Sequence, residues 1–522
     1  MKTKLAAMGG APSQTYVDDV FSTYLYTGNG STQTITNGID LAGKGGLVWI
    51  KERDAAFNHI LTDTARGVSK FLYSDQQNSQ ETYAGYGVTS FNSTGFAVTD
   101  TTVYGVNKNA ATYASWTFRK AAKFFDVQTV THTNGTANNI DLSILGTVGM
   151  VIAKITTTTG DWTTWHRSLP AGDNMQLNTT AARSTTNAWL SVSGTTATLA
   201  AAAPTGTYVI YAYAHDTSST GIIQCGSYVG TGFAGNAVAL GWEPQYLMVK
   251  AASDAGSWDI LDSMRGFAVI NNNPYLRADS SNAEATTANL QNPTSTGFVS
   301  RGSSGNSTGV TYIYMAIRMP NKPPTSGTQV YYSSLGTGGT PGVVSGFPPD
   351  LAIGDLPSNG GTYPYFPIWT DRLRGNNNSL VSSSTVVESS PLSSCIFYQT
   401  GFGTSAWNSV VNAWLFKRAP GFFDEVCYTG TGVATTQAHN LTVVPELMIV
   451  KERSAVNNWW VYVSSVGNTK YSVLNSTAIP VTSSTAWNNT TPTASVFSIG
   501  TGANVNASAQ TFVAYLFATL AG

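Results

Sequence analysis

The chain has 522 residues, of which 27 are basic and 28 acidic, and its formal net charge is −1. Hydrophobic residues make up 42% and aromatic residues 11%, which is enough apolar material for several packed cores and argues against a disordered chain. The even charge argues against nucleic-acid binding, which needs clustered Lys and Arg, and the abundant Ser, Thr, Asn and Gly predict an all-β protein.

The first twenty residues begin MKTKLAAMGGAPSQTY. Their apolar run is shorter than the roughly 7–15 residues of a secretory signal, and no window reaches the roughly 20 apolar residues of a membrane helix. We therefore expect residues 1–20 to form a polar, flexible arm that becomes ordered on a neighbouring protein, and we expect no membrane insertion. Cys225, Cys395 and Cys427 are too few and too odd in number for a disulfide framework, so we expect small buried residues in a chain that folds in a reducing cytosol.

Five similar strands recur at intervals of roughly one hundred residues along the chain. Their aligned positions are Trp116, Tyr211, Met315, Trp414 and Tyr515, followed two residues later by Phe118, Tyr213, Ile317, Phe416 and Phe517. A spacing of two places these large side chains on one face of a strand. The other face is also apolar in most copies, so we expect a central strand that is covered on both sides.

The repeat divides the chain into the arm (1–20) and five units: unit 1 (21–120), unit 2 (121–216), unit 3 (217–322), unit 4 (323–418) and unit 5 (419–522). Units of this length with short strands and many turns predict a tandem array of about five β-sandwich domains, jelly-roll-like or otherwise. A single β-helix is the less favoured alternative, because its repeats are shorter. NKPPTSGT, which starts at Asn321, is the clearest linker between units.

A second repeated strand ends in lysine in four units, as in GLVWIK at Lys51, GMVIAK at Lys154, PQYLMVK at Lys250 and PELMIVK at Lys451. We expect these lysines to reach solvent at the end of the strand; a ligand-binding role is the alternative. The Gly-x-Gly segments near the start of the units indicate turns, because no helix follows them and the rest of a dinucleotide fingerprint is missing.

The motif Asp-x-x-Arg-Gly occurs in units 1, 3 and 4. Its charged residues are Asp63 and Arg66, Asp262 and Arg265, and Asp371 and Arg374. A structural turn is the favoured interpretation, with Asp accepting turn N–H groups, Arg paired to it and Gly in the left-handed region. A repeated sugar or cation site is the alternative.

Exposed aromatic side chains would be natural contacts for a receptor, since they offer rigid area with a polar handle. The candidates are Trp459, Trp460, Tyr275, Tyr363 and Tyr365, and in a strand one of Trp459 and Trp460 should point inward. We assign no catalytic residue, metal ligand or cofactor, because the five histidines lack metal-ligand spacing and no nucleophile elbow or P-loop occurs. Paired carboxylates for glycoside hydrolysis stay open, because such partners can be far apart in sequence.

FRKAAKFFDVQ begins at Phe118 and FKRAPGFFDEV at Phe416, about three repeat lengths apart. In each phrase the first Phe closes one unit, the basic residues leave the strand, and Phe-Phe-Asp opens the next unit. Two charges per joint are too few for a binding patch. We therefore expect Phe124, Phe125, Phe422 and Phe423 to pack between successive units.

Three segments resemble structural proteins of tailed bacteriophages, cyanophages among them. These are TYVDDVFSTYLYTGNGSTQTITNGIDLAGKGGLVWIKERD, the FFDV…TG.G joints, and PELMIVKER…WWVY. In those proteins a similar domain is repeated, and the chains are generally taken as tail-fibre-like or other virion proteins. Unit 4 departs most, having lost the strand-end Lys in PPDLAIG.

The resemblance implies a virion component made in the host cytoplasm, with no catalytic residues to carry over. The first hypothesis is a tail fibre or tail-tip protein that attaches to other virion proteins through its arm and contacts a host surface glycan or protein. A homo-oligomer is then expected, a trimer if the protein is a fibre. The alternatives are a capsid-decorating or tail-connector protein and, less favoured, a polysaccharide-degrading spike.

Overall fold

The computed structural model describes residues 14–100, 105–186, 188–288, 290–336, 339–355, 367–389, 395–404 and 411–520. Within them the chain is almost entirely antiparallel sheet, and the described α-helices are short: α1 (Val17–Val20), α2 (Ser484–Trp487) and α3 (Ala503–Asn506). The prediction of an all-β, multidomain chain is confirmed. The high content of Thr, Val, Ile and aromatic residues, with Gly-rich turns between them, explains this outcome.

Each unit contributes one larger and one smaller sheet, and no named sheet draws strands from two units. The strands of unit 1 are β1 (Phe21–Thr27), β2 (Thr32–Thr36), β3 (Gly46–Glu52), β4 (Ile60–Asp63), β5 (Lys70–Tyr73), β6 (Glu81–Thr82), β7 (Gly87–Asn92), β8 (Gly95–Thr99) and β9 (Thr112–Arg119). The larger sheet has the order β1-β9-β3-β4-β5-β6 and the smaller β2-β8-β7. The closing strand β9 thus lies centrally, between β1 and β3, as its two apolar faces predict.

Units 2 and 3 repeat this plan. Unit 2 contains β10 (Phe125–His132), β11 (Asn138–Asp141), β12 (Val148–Ile155), β13 (Trp162–His166), β14 (Met175–Gln176), β15 (Leu190–Ser193), β16 (Thr196–Leu199) and β17 (Gly206–Ala214). Unit 3 contains β18 (Ile223–Val229), β19 (Asn236–Ala239), β20 (Pro244–Ala251), β21 (Trp258–Asp262), β22 (Leu276–Arg277), β23 (Gln291–Thr294), β24 (Gly297–Ser300) and β25 (Thr311–Arg318). Their larger sheets run β10-β17-β12-β13-β14 and β18-β25-β20-β21-β22.

Units 4 and 5 have the same order of strands. Unit 4 contains β26 (Tyr331–Gly336), β27 (Gly339–Val344), β28 (Leu351–Asp355), β29 (Pro367–Asp371), β30 (Ser379–Val381), β31 (Cys395–Phe397), β32 (Gly401–Thr404) and β33 (Val411–Phe416). Unit 5 contains β34 (Phe423–Thr429), β35 (Thr435–Ala438), β36 (Leu447–Glu452), β37 (Trp460–Val463), β38 (Lys470–Val473), β39 (Val481–Thr482), β40 (Val496–Ile499) and β41 (Thr511–Phe517). Their larger sheets run β26-β33-β28-β29-β30 and β34-β41-β36-β37-β38-β39.

The larger sheets bury both faces, and this creates two kinds of core. One face packs inside the unit, as in the separate cluster of unit 1 that includes Ile35, Phe71 and Tyr113. The other face packs against neighbouring units. A single cluster joins Trp116 of unit 1 and Tyr213 of unit 2 to Tyr246 of unit 3, and a second joins units 4 and 5. Burial on both faces explains why strands such as GLVWIKE are apolar without alternation.

The described end of the arm differs from the expected flexible segment. Val17 and Val20 in α1 are fully buried, and the Val17 N–H donates to Asn321 Oδ1 at 3.0 Å. The Asp18 carboxylate accepts the Asn321 N–H at 3.0 Å, and Lys322 pairs with Asp19. Residues 14–20 therefore pack onto the linker of their own chain, because two apolar valines gain more from burial than from solvent. Residues 1–13 lie outside the described residues.

Candidate functional site

The three Asp-x-x-Arg-Gly turns share one buried geometry. In unit 1, Asp63 Oδ1 accepts the Arg66 N–H at 2.9 Å, and the Arg66 guanidinium donates to Asp63 Oδ2 and, at 2.8 Å, to the Leu61 carbonyl. Gly67 follows with a φ of 96°, a left-handed conformation that favours glycine. The same contacts recur at Asp262 with Arg265 and at Asp371 with Arg374. Both side chains of every pair are buried, so the pairs offer no open site for a sugar or cation.

Each of these aspartates also receives a hydrogen bond from a neighbouring unit. Tyr211 Oη of unit 2 donates to Asp63 Oδ2 at 2.7 Å. Trp116 Nε1 of unit 1 donates to Asp262 Oδ2 at 3.0 Å. Tyr515 Oη of unit 5 donates to Asp371 Oδ2 at 2.8 Å. The three donors occupy the same aligned position in the closing strands of their units. The repeated closing strand of one unit therefore contacts the repeated Asp-x-x-Arg-Gly turn of a neighbouring unit.

Unit 2 lacks the motif and has His166 at the equivalent strand end. His166 Nε2 lies 3.1 Å from the Tyr314 carbonyl of unit 3. The order of these contacts is cyclic: unit 1 meets unit 2, unit 2 meets unit 3, and unit 3 meets unit 1. Units 1–3 therefore close into a ring, which we call the first ring. Units 4 and 5 share one such contact and form what we call the open pair.

A second set of contacts follows the same cyclic order. A backbone N–H near the last strand of one larger sheet donates to a carbonyl of the next unit, in the pairs Gln80 to Thr156, Arg183 to Ala252, Glu284 to Arg53 and Glu388 to Arg453. In two of these pairs the carboxylate also bridges two guanidinium groups, in the sets Arg53–Glu284–Arg265 and Arg453–Glu388–Arg374. Glu284 and Glu388 lie outside the repeated motifs, so the repeat does not predict them as partners, whereas Arg265 and Arg374 belong to the Asp-x-x-Arg-Gly turns.

Burial and pairing act in opposite directions on these charges. Burial alone would lower the pKa of Arg66, but the Asp63 carboxylate and the Tyr211 hydroxyl raise it above its ordinary value. Burial would raise the pKa of Glu284, but Arg265 and Arg53 lower it. Both groups are therefore held in the charged form by their partners. A buried charge that lost its partner would be costly, which makes each boundary sensitive to single substitutions.

The strand-end lysines do not reach solvent, and that prediction is wrong. Lys51, Lys154, Lys250 and Lys451 are fully buried, and burial lowers the pKa of each to about 8. In two of them the ammonium is held by carbonyls from the preceding unit. Lys154 Nζ donates to Gln77 O at 3.0 Å, and Lys250 Nζ donates to Thr180 O and Ala181 O at 3.0 and 2.9 Å. Lys154 and Lys250 therefore connect units, whereas the ammonium groups of Lys51 and Lys451 donate to carbonyls of their own unit.

The predicted receptor aromatics that the structure describes are not surface groups. Trp459 is fully buried, and its Nε1 donates to Val381 O and Ser384 O of unit 4 at 3.0 and 3.1 Å. Trp460 is 6% exposed and stacks on Tyr471 inside unit 5. Tyr275 is also 6% exposed. The expectation that one of the two tryptophans faces solvent is wrong, because both faces of this sheet are covered. Tyr363 and Tyr365 lie outside the described residues.

The paired phenylalanines lie at the joints between units. Phe124 and Phe125 are fully buried, and their ring centroids lie 6.5 and 5.7 Å from that of Phe118 in the preceding unit. Phe423 is fully buried 5.7 Å from Phe416, while Phe422 is half-buried. The aromatic rings fix the close approach of successive larger sheets.

The cysteines are not at the surface: Cys225 and Cys395 are buried and Cys427 is half-buried.

A cleft of about 630 Å³ lies between unit 3 and the open pair. Its lining residues include Asn271, Asn292, Asn378, Arg301 and Arg453. Arg453 is already paired with Glu388, so the cleft is polar rather than strongly cationic. Amide and guanidinium groups are hydrogen-bond donors. Asn271 is exposed.

Among the described residues, no group of three or more His, Cys, Asp and Glu side chains is placed to hold a metal ion. Among the same residues, no helix has the length and apolarity needed to cross a membrane.

The comparison with protein families gives one match. A family described as "Domain of unknown function (DUF7483)" matches residues 17–320 and 415–522. The chain belongs to this family. The first matched segment comprises the end of the arm and the first ring, and the second comprises the end of unit 4 with unit 5, so the DUF7483 match leaves out most of unit 4. No curated protein matches the chain.

Proposed function

We propose that this DUF7483 protein is a structural component of a tailed-bacteriophage virion, in the tail fibre or tail tip. The proposal rests first on the resemblance of its first-unit and joint phrases to phage structural proteins. In this proposal the arm attaches the chain to other virion proteins. Because residues 14–20 pack on their own chain, that role falls to residues 1–13, and we propose no catalytic step.

The observation that supports a structural role is that buried polar groups form hydrogen bonds across the unit boundaries. Tyr211 with Asp63, Trp116 with Asp262 and Lys250 with the Thr180 carbonyl each connect one unit to the next. Groups that an enzyme would keep free for substrate are here engaged in contacts that hold neighbouring domains at fixed angles. Such an array suits a protein that must keep its shape outside the cell.

Contact with a host surface is the finer part of the proposal. The buried tryptophans are unsuitable, whereas the cleft between unit 3 and the open pair offers amide and guanidinium groups to a glycan. A weak site on each copy becomes effective when many copies bind together. A capsid-decorating or tail-connector protein is the second candidate, because rigid domain boundaries would serve it equally well.

The proposed virion role is tested by locating this protein in the intact phage particle. Antibody-gold labelling and mass spectrometry of purified virions should place the chain at the tail. Even labelling over the head would overturn the tail position and favour capsid decoration, and absence from purified particles would contradict both candidates. Release of reducing sugar from host polysaccharide by the purified protein would favour an enzyme instead.

Host contact is tested separately by competition. Purified protein should reduce phage adsorption to host cells, and Asn271→Ala in the cleft should weaken that effect. Asn109→Ala is the matched control, because Asn109 is an exposed amide on unit 1, outside the lining of the cleft. Equal competition by both variants would remove the cleft from the proposal and leave the virion role standing.

A further inference from the structure

Units 4 and 5 reproduce the arrangement of units 1 and 2. The Tyr515–Asp371 hydrogen bond corresponds to Tyr211–Asp63. The ring centroids of Phe416 and Phe517 lie 5.7 Å apart, and those of Phe118 and Tyr213 lie 5.5 Å apart. In the first ring unit 3 occupies the remaining position and covers both neighbours. No described residue occupies the corresponding position beside units 4 and 5.

The unit 4 side of this position is apolar and uncovered. In unit 1, Trp116 and Phe118 are 0% exposed because unit 3 packs on them. Their counterparts in unit 4, Trp414 and Phe416, are only half-buried. Leu335 on the adjacent first strand is 66% exposed. Trp414 and Phe416, whose counterparts are interior in the closed ring, thus face outward here. Leu335 is more exposed than its unit 1 counterpart Leu25, which is half-buried against the cluster between units, whereas the counterparts Thr129 and Ser227 in units 2 and 3 are exposed.

The unit 5 side shows the same difference. Leu474 is 43% exposed, whereas Leu177 and Ala278, at the equivalent position of units 2 and 3, are 0% exposed. The three positions are equivalent because the backbone N–H of Leu177, Ala278 and Leu474 donates to the carbonyl of Trp162, Trp258 and Trp459, respectively. Ile479 is 82% exposed. It lies one residue before the position in unit 5 that is equivalent to Gln80, whose N–H donates to unit 2. We call the surface formed by Leu335, Trp414, Phe416, Leu474, Ile479 and Phe517 the open face.

The first ring indicates what covers such a surface. Each equivalent face in units 1–3 is buried by another unit of the same fold, and contiguous apolar surfaces of this kind mark interfaces. Within the described residues of one copy, all such faces of the first ring are already in use. A surface of this fold that is still free to cover the open face is therefore the open face of a second copy. Two identical surfaces pack together most simply about a two-fold axis.

We propose that the chain forms a homodimer in which the open faces of two copies pack together. The dimer places four units around a shared apolar core, with Trp414 and Phe416 of each copy inside it. This inference is independent of the virion role, since it follows from the unequal burial of equivalent residues. It identifies the surface through which two copies associate, which the sequence repeat does not predict.

Sedimentation velocity of the full-length chain tests the proposal. Wild-type protein should sediment at twice the chain mass of 55.1 kDa over a wide concentration range. Leu335→Lys and Ile479→Lys should each shift it to the monomer, because a charge would be buried without a partner. Both residues are exposed in the single copy, so the substitutions should leave its fold intact, which circular dichroism and thermal unfolding check.

Val433→Lys is the matched control. Val433 is 68% exposed, similar to the 66% of Leu335, but it lies in a loop outside the open face. This variant should therefore remain dimeric. A monomeric wild type, an assembly larger than a dimer, or a dimer that persists in both Leu335→Lys and Ile479→Lys would overturn the proposal. So would dissociation of the Val433→Lys variant to the same extent.

Discussion

The Tyr211 hydroxyl of unit 2 donates to the Asp63 carboxylate of unit 1 at 2.7 Å, and Tyr515 repeats this contact with Asp371. The acceptor is charged and buried, and its second partner is an arginine of its own unit. The domains are therefore joined by ionic hydrogen bonds inside an apolar interface, rather than by flexible linkers alone.

Tyr211→Phe should lower the free energy of unfolding by about 1.5–3 kcal/mol, the usual contribution of a hydrogen bond to a charged group. Urea unfolding of the full chain measures this change. Tyr208→Phe is the control, because the Tyr208 hydroxyl donates to the neutral Pro204 carbonyl of the same unit at 2.8 Å. Its loss should cost only about 0.5–1.5 kcal/mol. Equal losses for both variants would contradict a special role for the boundary contact.

Lys250 provides a pH-dependent test of the boundary between units 2 and 3. Burial lowers its pKa from 10.5 to about 8. Between these values the unfolded chain binds the proton more tightly, so the contribution of this group to stability rises with pH. The stability of the wild type relative to Lys250→Met should therefore increase from pH 8 to pH 10. Lys44→Met, which removes an exposed lysine, is the matched control. A constant difference between the wild type and Lys250→Met from pH 8 to pH 10 would mean that burial does not lower the pKa of this lysine.

The repeat period located the strands and the joints, because side chains of similar size recur at a fixed spacing. It also aligned Trp116, Tyr211 and Tyr515 in one column. It could not pair this column with Asp262, Asp63 and Asp371, since the partner lies in a different unit and depends on closure of the ring. The sequence shows which positions are equivalent but not which units are neighbours in space.

The two main errors have the same physical origin. Trp459 and Trp460 were expected to divide between core and solvent, as in a sheet with one wet face. The lysines were expected to reach water at a strand end. For Trp459 and for Lys154 the neighbouring unit covers the side chain: Val381 O accepts from Trp459, and Gln77 O accepts from Lys154. Burial by a neighbouring domain is a tertiary effect that local patterns do not encode.

Glu425 is a buried carboxyl whose two oxygens have no hydrogen-bond partner among the described residues. The equivalent positions in units 1–3 hold Thr23, Val127 and Cys225, which suit the apolar interface better. Glu425→Val should therefore raise the free energy of unfolding by about 1–3 kcal/mol at neutral pH, because it removes a desolvated polar group. Glu446→Val, at an exposed carboxylate, should bring no such gain. A loss of stability in Glu425→Val would show that the carboxyl has a favourable partner.

The gain from Glu425→Val should also depend on pH. Burial, assisted by the nearby Asp371 carboxylate, raises the pKa of Glu425 well above 4.5. Above pH 4.5 the unfolded chain releases this proton while the folded chain keeps it, so the wild type loses stability as pH rises. The advantage of the variant should be small near pH 4 and larger at pH 7, measured by urea unfolding at each pH. An advantage that is constant over this range would contradict a raised pKa.

The two joints differ in a way that single substitutions can measure. Phe423 is fully buried, with its ring centroid 4.9 Å from that of Phe517, so Phe423→Ala should cost about 3–5 kcal/mol of unfolding free energy. Phe422 is half-buried, and Phe422→Ala should cost clearly less. At the first joint Phe124 and Phe125 are both fully buried, because units 1–3 form a closed ring. Phe124→Ala and Phe125→Ala should therefore have similar, large costs. A mild effect of Phe124→Ala would contradict the packing of the first ring, and an equally severe effect of Phe422→Ala in the monomeric Leu335→Lys background would show that the open pair is covered within a single copy.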